Sequence, residues 1–229
     1  MREIIADALE RTDIFGATPY AIRESIGTAM ERTVVRYEGD RIIFDRGSRL
    51  TSLPFLVEGR AVAEINSEDG HRMLVERFRA PEILASSILF SPRQLLPVTV
   101  RSEGYCIMAS ITKGELLHYC RKDQAVLTGL LNDMGHRTAF LAARLRLSEF
   151  ASLRQRIAVF LLEEASQQQR LSVHLSQSRE ELADLFGVAR PSLSRELGAM
   201  SREGLISCHE SAIDVLDVEG LRSLKSGCD

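Results

Sequence analysis

Between positions 127 and 148, Leu127, Leu131, Met134, Thr138, Leu141, Leu145 and Ser148 recur in alternating steps of four and three. This is a heptad seam of about three repeats, with Asp, Arg and His on the other faces. No other feature restricts the fold as much. A helix with one narrow apolar stripe either packs on a domain of its own chain or pairs with a second copy of itself. The seam carries no proline and has domain-sized segments on both sides, so pairing between copies is expected, with Leu127, Leu131, Met134, Thr138, Leu141 and Leu145 as its contacts. Gly129 and Gly135 lie in its first half, and each weakens a helix by about 1 kcal/mol relative to alanine.

The texture before the seam is different. Residues 1–33 read as helical. Then Gly39, Gly47, Gly59 and Gly70 punctuate short β-branched and aromatic runs: Val34-Val35-Arg36-Tyr37, Ile42-Ile43-Phe44, Phe55-Leu56-Val57, Ala61-Val62-Ala63-Glu64-Ile65 and Met73-Leu74-Val75. Asp69-Gly70 is a good hairpin turn. Val98-Thr99-Val100 and Cys106-Ile107-Met108 continue the pattern, with Gly104 as the turn between them. Strands at this spacing predict an all-β barrel or double sheet over 34–111. The chain therefore reads as α+β, with a β domain (1–122), a dimerisation helix (123–148) and a last unit (149–229).

Composition narrows the class. Charged residues are 27% of the 229, the net charge is −3, and no apolar run reaches membrane-spanning length. The start, MREIIADALERTD, lacks the pattern of a secretion signal, so a cytoplasmic protein without a membrane partner is expected. Cys106, Cys120, Cys208 and Cys228 form no C-x-x-C pair and adjoin no histidine cluster. The spacing predicts free thiols rather than a metal centre.

In the last unit, Leu153 to Glu164 reads as a helix, and Gln167-Gln168-Gln169 as a small polar loop. Ser178-x-x-Glu181 is a capping box ahead of a second helix with Leu182, Leu185 and Phe186 on one face. Ala183 is small, Gly187 permits a tight turn, and Val188 plugs the corner. Arg190-Pro191 restarts the chain as a third helix, whose buried face is Leu193, Leu197 and Met200. This is helix-turn-helix spacing. Arg190, Ser192, Ser194 and Arg195 lie off the buried face, at the end of the helix that meets base edges in a major groove. Arginine bonds guanine O6 and N7, and serine reaches phosphate or base edges. Gly204-Leu205-Ile206 and Ile213–216, turned by Glu210-Ser211, complete a winged helix. One count opposes this reading: 149–229 holds nine Lys/Arg against thirteen Asp/Glu, a net of −4. A nucleic-acid module usually has a basic surplus. The basic residues must therefore share one face.

The order of parts resembles the CRP/FNR superfamily of bacterial transcription regulators. The resemblance spans nearly the whole chain and is strongest at 39–47, 55–59, 78–90, 150–164 and 178–206. It implies an N-terminal double-stranded β-helix (a jelly-roll, cupin-like β-roll), a long dimerisation helix and a C-terminal winged helix-turn-helix. It also implies a homodimer on palindromic double-stranded DNA, with Ser178 and Arg179 as a backbone-contacting cap, RNA polymerase as a further partner, and a small-molecule effector sensed by the β domain (1–122). In cyclic-nucleotide-binding members a Gly-Glu and an Arg-Ser pair hold the phosphate. The matching positions here are Ala85-Ser86 and Leu96-Pro97, and Arg93 stands three residues early. The positions that would face the purine are Leu141 and Ala142. Without the arginine a buried phosphate is too costly, so cyclic AMP is not expected and an apolar effector or haem fits better. For haem, a nitric oxide sensor among the options, His71, His118 and His136 are the candidate ligands. A thiol switch at Cys106 or Cys120 is a further option. The N-terminal cysteine cluster of the FNR branch has no counterpart before Cys106. Many relatives have glutamate where Pro191 stands, reading cytosine, so their consensus site does not carry over at that base pair.

Two other classes compete. A cupin-like metal enzyme needs clustered ligands, but the five histidines are scattered, so no catalytic residue and no metal is expected. A signalling module without DNA would leave the helix-face arginines unexplained.

Overall fold

The computed structural model describes residues 1–66, 72–175 and 177–226. The chain forms two compact units, Met1–His136 and Arg137–Asp229.

The first unit opens with α1 (Arg2–Glu10) and α2 (Tyr20–Glu31), followed by β1 (Val35–Tyr37), β2 (Ile42–Phe44), β3 (Ser52–Asn66), β4 (Arg72–Arg79) and β5 (Glu82–Ile83). A one-turn helix α3 (Ser86–Leu89), β6 (Thr99–Thr112), α4 (Lys113–Lys122) and the start of α5 (Gln124–Leu147) complete it. The strands form an antiparallel sheet ordered β1-β6-β3-β4, with β2 also on β6 and β5 on β3.

Runs read as separate strands turn out to be single long ones. Phe55-Leu56-Val57 and Ala61–65 both lie on β3, and Thr99-Val100 and Cys106-Ile107-Met108 both lie on β6. Gly104 is therefore not a hairpin turn. It sits in a bulge, with φ +80°, where the register jumps from Gly59↔Cys106 to Ala61↔Ser102. The expected Asp69-Gly70 turn lies outside the described residues, although β3 and β4 pair antiparallel up to Asn66↔Arg72.

Bulged strands serve two cores. Leu53, Phe55 and Val57 of β3 pack with Ile5, Leu9, Phe15, Ile26 and Met30 from the helical N-terminus and with Val126 and Leu130 of α5. Leu56, Ala61 and Ala63 join Phe78, Leu84, Val100, Cys106 and Met108 in a second cluster. Gly129 is explained here. Helix α5 approaches the turn after α1 so closely that a Cβ at Gly129 would sit 2.0 Å from the Ile14 carbonyl oxygen. The helix weakness expected of this glycine is exchanged for close packing. The sequence reading missed α4, although Thr112-x-x-Glu115 forms a complete capping box at its start.

The second unit contains the rest of α5, then α6 (Leu153–Gln168), β7 (Ser172–His174), α7 (Arg179–Phe186), α8 (Arg190–Arg202), β8 (Ile206–Cys208), β9 (Ala212–Val215) and α9 (Val218–Ser226). Its sheet is ordered β7-β9-β8. Leu147, Ile157, Leu161, Val173, Leu182, Phe186, Leu193, Leu197, Met200, Ile213 and Leu221 belong to one core. Gln167 and Gln168 are not a loop. They end α6, with Gln169 as a left-handed cap at φ 53°. Gln168 then bonds both His174 backbone groups, donating to the carbonyl at 2.9 Å and accepting from the amide at 2.9 Å. The polar tract joins helix to strand.

Candidate nucleic-acid interface

The turn between α7 and α8 forms for local reasons. The Ser178 hydroxyl accepts from the Glu181 amide at 3.2 Å, and the Glu181 carboxylate accepts from the Ser178 amide at 2.6 Å. At the other end, Gly187 adopts φ 68°, and the Val188 amide reaches back to the Ala183 carbonyl at 2.9 Å. Ala189 is extended, and α8 restarts with Pro191 in its first turn, where no intrahelical amide bond is lost. Leu193, Leu197 and Met200 bury the inner face of α8.

The outer face carries the predicted contacts. Arg190, Pro191, Ser194 and Arg195 are exposed, Ser192 is half-buried, and Arg202 stands exposed at the far end. Arg195 lies back along its own helix, donating from Nε to the Pro191 carbonyl at 3.3 Å and from Nη2 to Ser192 Oγ at 3.3 Å. These long, exposed bonds are easily exchanged for a phosphate or a base edge. Ser178 is exposed at the N-terminus of α7. Arg179 is different. It is half-buried and donates from Nη2 to the His209 carbonyl at 3.2 Å, while its Nη1 is buried without a hydrogen-bond partner. It braces the wing between β8 and β9 rather than standing free beside Arg190.

The unfavourable net charge of residues 149–229 is offset around α8 by where several acids are held. Arg154 on α6 bonds Glu196 at 2.7 Å and both oxygens of Glu203 at 2.8 Å. Those are the two carboxylates on and just beyond α8. The Arg154 hydrogen bond keeps the Glu203 carboxyl below its ordinary pKa. Arg146 engages Glu163, Arg222 engages Glu219 at 2.6 Å, and Asp214 is held by Ser172 and His209, which lower its pKa. Among the described residues no ion pair engages Arg190 or Arg195.

The proposed effector residues separate. Ala85 is the left-handed cap of α3 at φ 52°, and the hydroxyl of fully buried Ser86 donates to buried Asp133 on α5. Leu96 is buried in the helical core rather than in the all-strand cluster, and Pro97 is exposed. Leu141 and Ala142, in the second unit, are exposed. On α5, Leu127, Leu131, Leu141 and Leu145 are 41, 58, 62 and 73% exposed, Thr138 is exposed, and Met134 is half-buried against its own core. Burial pushes the Cys106 and Cys120 thiols up, away from the thiolate that redox chemistry uses. His118 and His136 are exposed, and His71 and Cys228 lie outside the described residues. Among the described residues there is no group of three or more His, Cys, Asp or Glu placed to hold a metal ion, and no helix long and apolar enough to cross a membrane.

Comparison with known proteins fits this geometry. Residues 34–123 match the family model of the cyclic nucleotide-binding domain, and residues 155–224 match that of the Crp-like helix-turn-helix domain. The cAMP-activated global transcriptional regulator CRP of Salmonella typhimurium is 22% identical over 184 residues, covering 79% of this chain and 88% of its own length. The cAMP-activated global transcriptional regulator Vfr of Pseudomonas aeruginosa is 22% identical over 178 residues, covering 75% and 83%. The crystal structure of the Thermus thermophilus Catabolite Activator Protein shares the fold, with a TM-score of 0.52 at 19% identity over 95% of this chain and 100% of that one. With a bulged antiparallel roll, a heptad helix and a capped helix-turn-helix in that order, the chain belongs to the CRP/FNR superfamily of DNA-binding transcription regulators.

Proposed function

We propose that the chain acts as a homodimer on palindromic DNA, gated by an effector other than cyclic AMP. One observation carries the DNA reading: α8 presents Arg190 and Arg195 from a segment, 149–229, of net −4, because Arg154 holds Glu196 and Glu203 aside. The exposed leucines of α5 support the dimer, since stripes of that size are normally covered. Pairing along α5 gives two copies of α8 and two half-sites centred about 34 Å apart.

Two features favour an effector without a phosphate. The Ser86 hydroxyl already bonds Asp133. Arg93 is exposed. A phosphate taken in beside Ser86 would meet the Asp133 carboxylate.

Selection of bound duplexes from a random library, with and without cell extract, tests the reading. An inverted repeat whose enrichment depends on a small molecule in the extract is the expected result. Failure to enrich any sequence would overturn the DNA assignment, and enrichment that follows added cyclic AMP would overturn the effector assignment.

A further inference from the structure

The outer face of α8 has an unusual chemical inventory for a helix that reads bases. Between Arg190 and Arg202 there is no Asn, Gln, Asp or Lys. The one carboxylate within the helix, Glu196, is held by Arg154 at 2.7 Å, and Glu203 at its end by the same guanidinium at 2.8 Å. The face therefore has no free carboxylate to accept from cytosine N4 and no amide to pair with adenine N6 and N7. It offers donor-only guanidiniums, the hydroxyls of Ser192, Ser194 and Ser201, and one apolar ring. That ring is Pro191, exposed in the first turn. It follows Arg190 directly, and the Arg195 guanidinium folds back onto its carbonyl at 3.3 Å. Leu193, the next apolar residue, is buried and turned inward.

Guanidiniums suit guanine, and an apolar ring suits the one apolar group in the major groove, the C5-methyl of thymine. From this juxtaposition we infer that Pro191 is a specificity-determining residue that contacts a thymine methyl beside the guanine read by Arg190 or Arg195. The inference rests on the DNA reading and names the bases that the site takes. Burial of one methyl is worth about a fourfold change in affinity per half-site, roughly fifteenfold for two.

The test uses the full-length protein and its selected operator, replacing each thymine in turn by deoxyuridine, which deletes only the methyl. Affinity is read by fluorescence anisotropy. Wild type loses about fourfold at one thymine per half-site, next to a guanine. Pro191→Ser binds the parent and uridine operators equally, near the wild-type affinity for the uridine operator, which shows that its helix still docks. Pro191→Glu shifts preference at that base pair toward cytosine, whose N4 amine a carboxylate can accept from. The inference is overturned if no single methyl matters in an operator the protein binds, or if the loss persists undiminished in Pro191→Ser. Binding to no duplex at all would instead overturn the DNA reading beneath it.

Discussion

Helices α5 and α8 each bury one face in their own unit and expose another, and the exposed faces differ in kind. On α5 it is a row of leucines with no charge among Leu127, Leu131, Leu141 and Leu145. On α8 it is arginine, serine and proline, with the nearest carboxylates tied to Arg154. Exposed leucine is stabilised only by a partner that excludes water and matches the period of four and three. Exposed arginine gains from a polyanion and loses little in water until it arrives. On the proposed reading the two faces take two partners: a second copy of the chain for α5 and a duplex for α8.

The comparison breaks most completely if the leucine row is charged. Leu131→Glu with Leu141→Glu removes four leucines from a paired seam, each worth about 1.5–3 kcal/mol, and puts four carboxylates in their place. Analytical ultracentrifugation should show a monomer at micromolar concentration. Operator affinity should fall by about a thousandfold or more, because each copy then holds one half-site. A variant that remains dimeric would show that the row faces something else.

Arg190→Ala probes the other face and should leave the dimer intact. It is expected to cost about 1–3 kcal/mol per half-site and to relax preference at one guanine. The two variants should therefore separate: one changes assembly, the other only binding. An Arg190→Ala protein with full affinity would remove α8 from the groove.

Arg154→Ala asks whether the cationic face depends on sequestering acids. It frees Glu196 and Glu203 beside Arg195 and Arg202, so operator affinity should drop although no DNA-facing residue has changed. The thermal midpoint should fall by about 3 °C, a small effect because these ion pairs are partly exposed. The pH dependence has a definite sign. Glu203 has a lowered folded pKa because Arg154 bonds it. Its contribution is complete above the ordinary carboxylate pKa, about 4.3, and is lost as pH falls through the lowered value. Thermal melts of Arg154→Ala should accordingly show a shallower loss of stability below about pH 4 than wild type. An unchanged acid limb would mean that the contact is not maintained in solution.

How far the sequence disclosed this arrangement follows from how local each signal is. The helix-turn-helix was legible because a capping serine, a left-handed glycine and a first-turn proline each act within a few residues. The exposed row was legible because periodicity alone separates 127, 131, 141 and 145 from buried Val126 and Leu130. Strand lengths were not legible. Gly59 and Gly104 carry the same signal whether they end a strand or bulge it, and only the pairing partner decides. Short β7 was missed because three residues stabilised by Asp214 pairing and a Gln168 clasp have no pattern of their own. The anchor of Arg179 was out of reach for the same reason, since His209 is 30 positions away. Resolution of the net charge was out of reach, because it depends on Arg154 meeting Glu196 and Glu203 across more than 40 positions.

Glycines on the two helices give the smallest and sharpest contrast. Gly129 of α5 is required by its own chain, since a Cβ there would meet the Ile14 carbonyl oxygen at 2.0 Å. Gly198 of α8 has no such reason. A Cβ at Gly198 would meet only Arg202 Nη1, at 3.7 Å. Mid-helix glycine costs about 1 kcal/mol against alanine, so its presence one turn after Ser194 and Arg195 is unexplained within the chain. A duplex lying against α8 explains it, because an added methyl would hold the helix off the groove. Gly198→Ala should then stabilise the free protein by about 0.5–1 kcal/mol and weaken operator binding by about threefold, effects of opposite sign. Denaturant melts and anisotropy titrations on the same preparation measure both. If stability rises while affinity stays unchanged, the duplex does not approach this turn of α8, and the groove contact ends at Arg195.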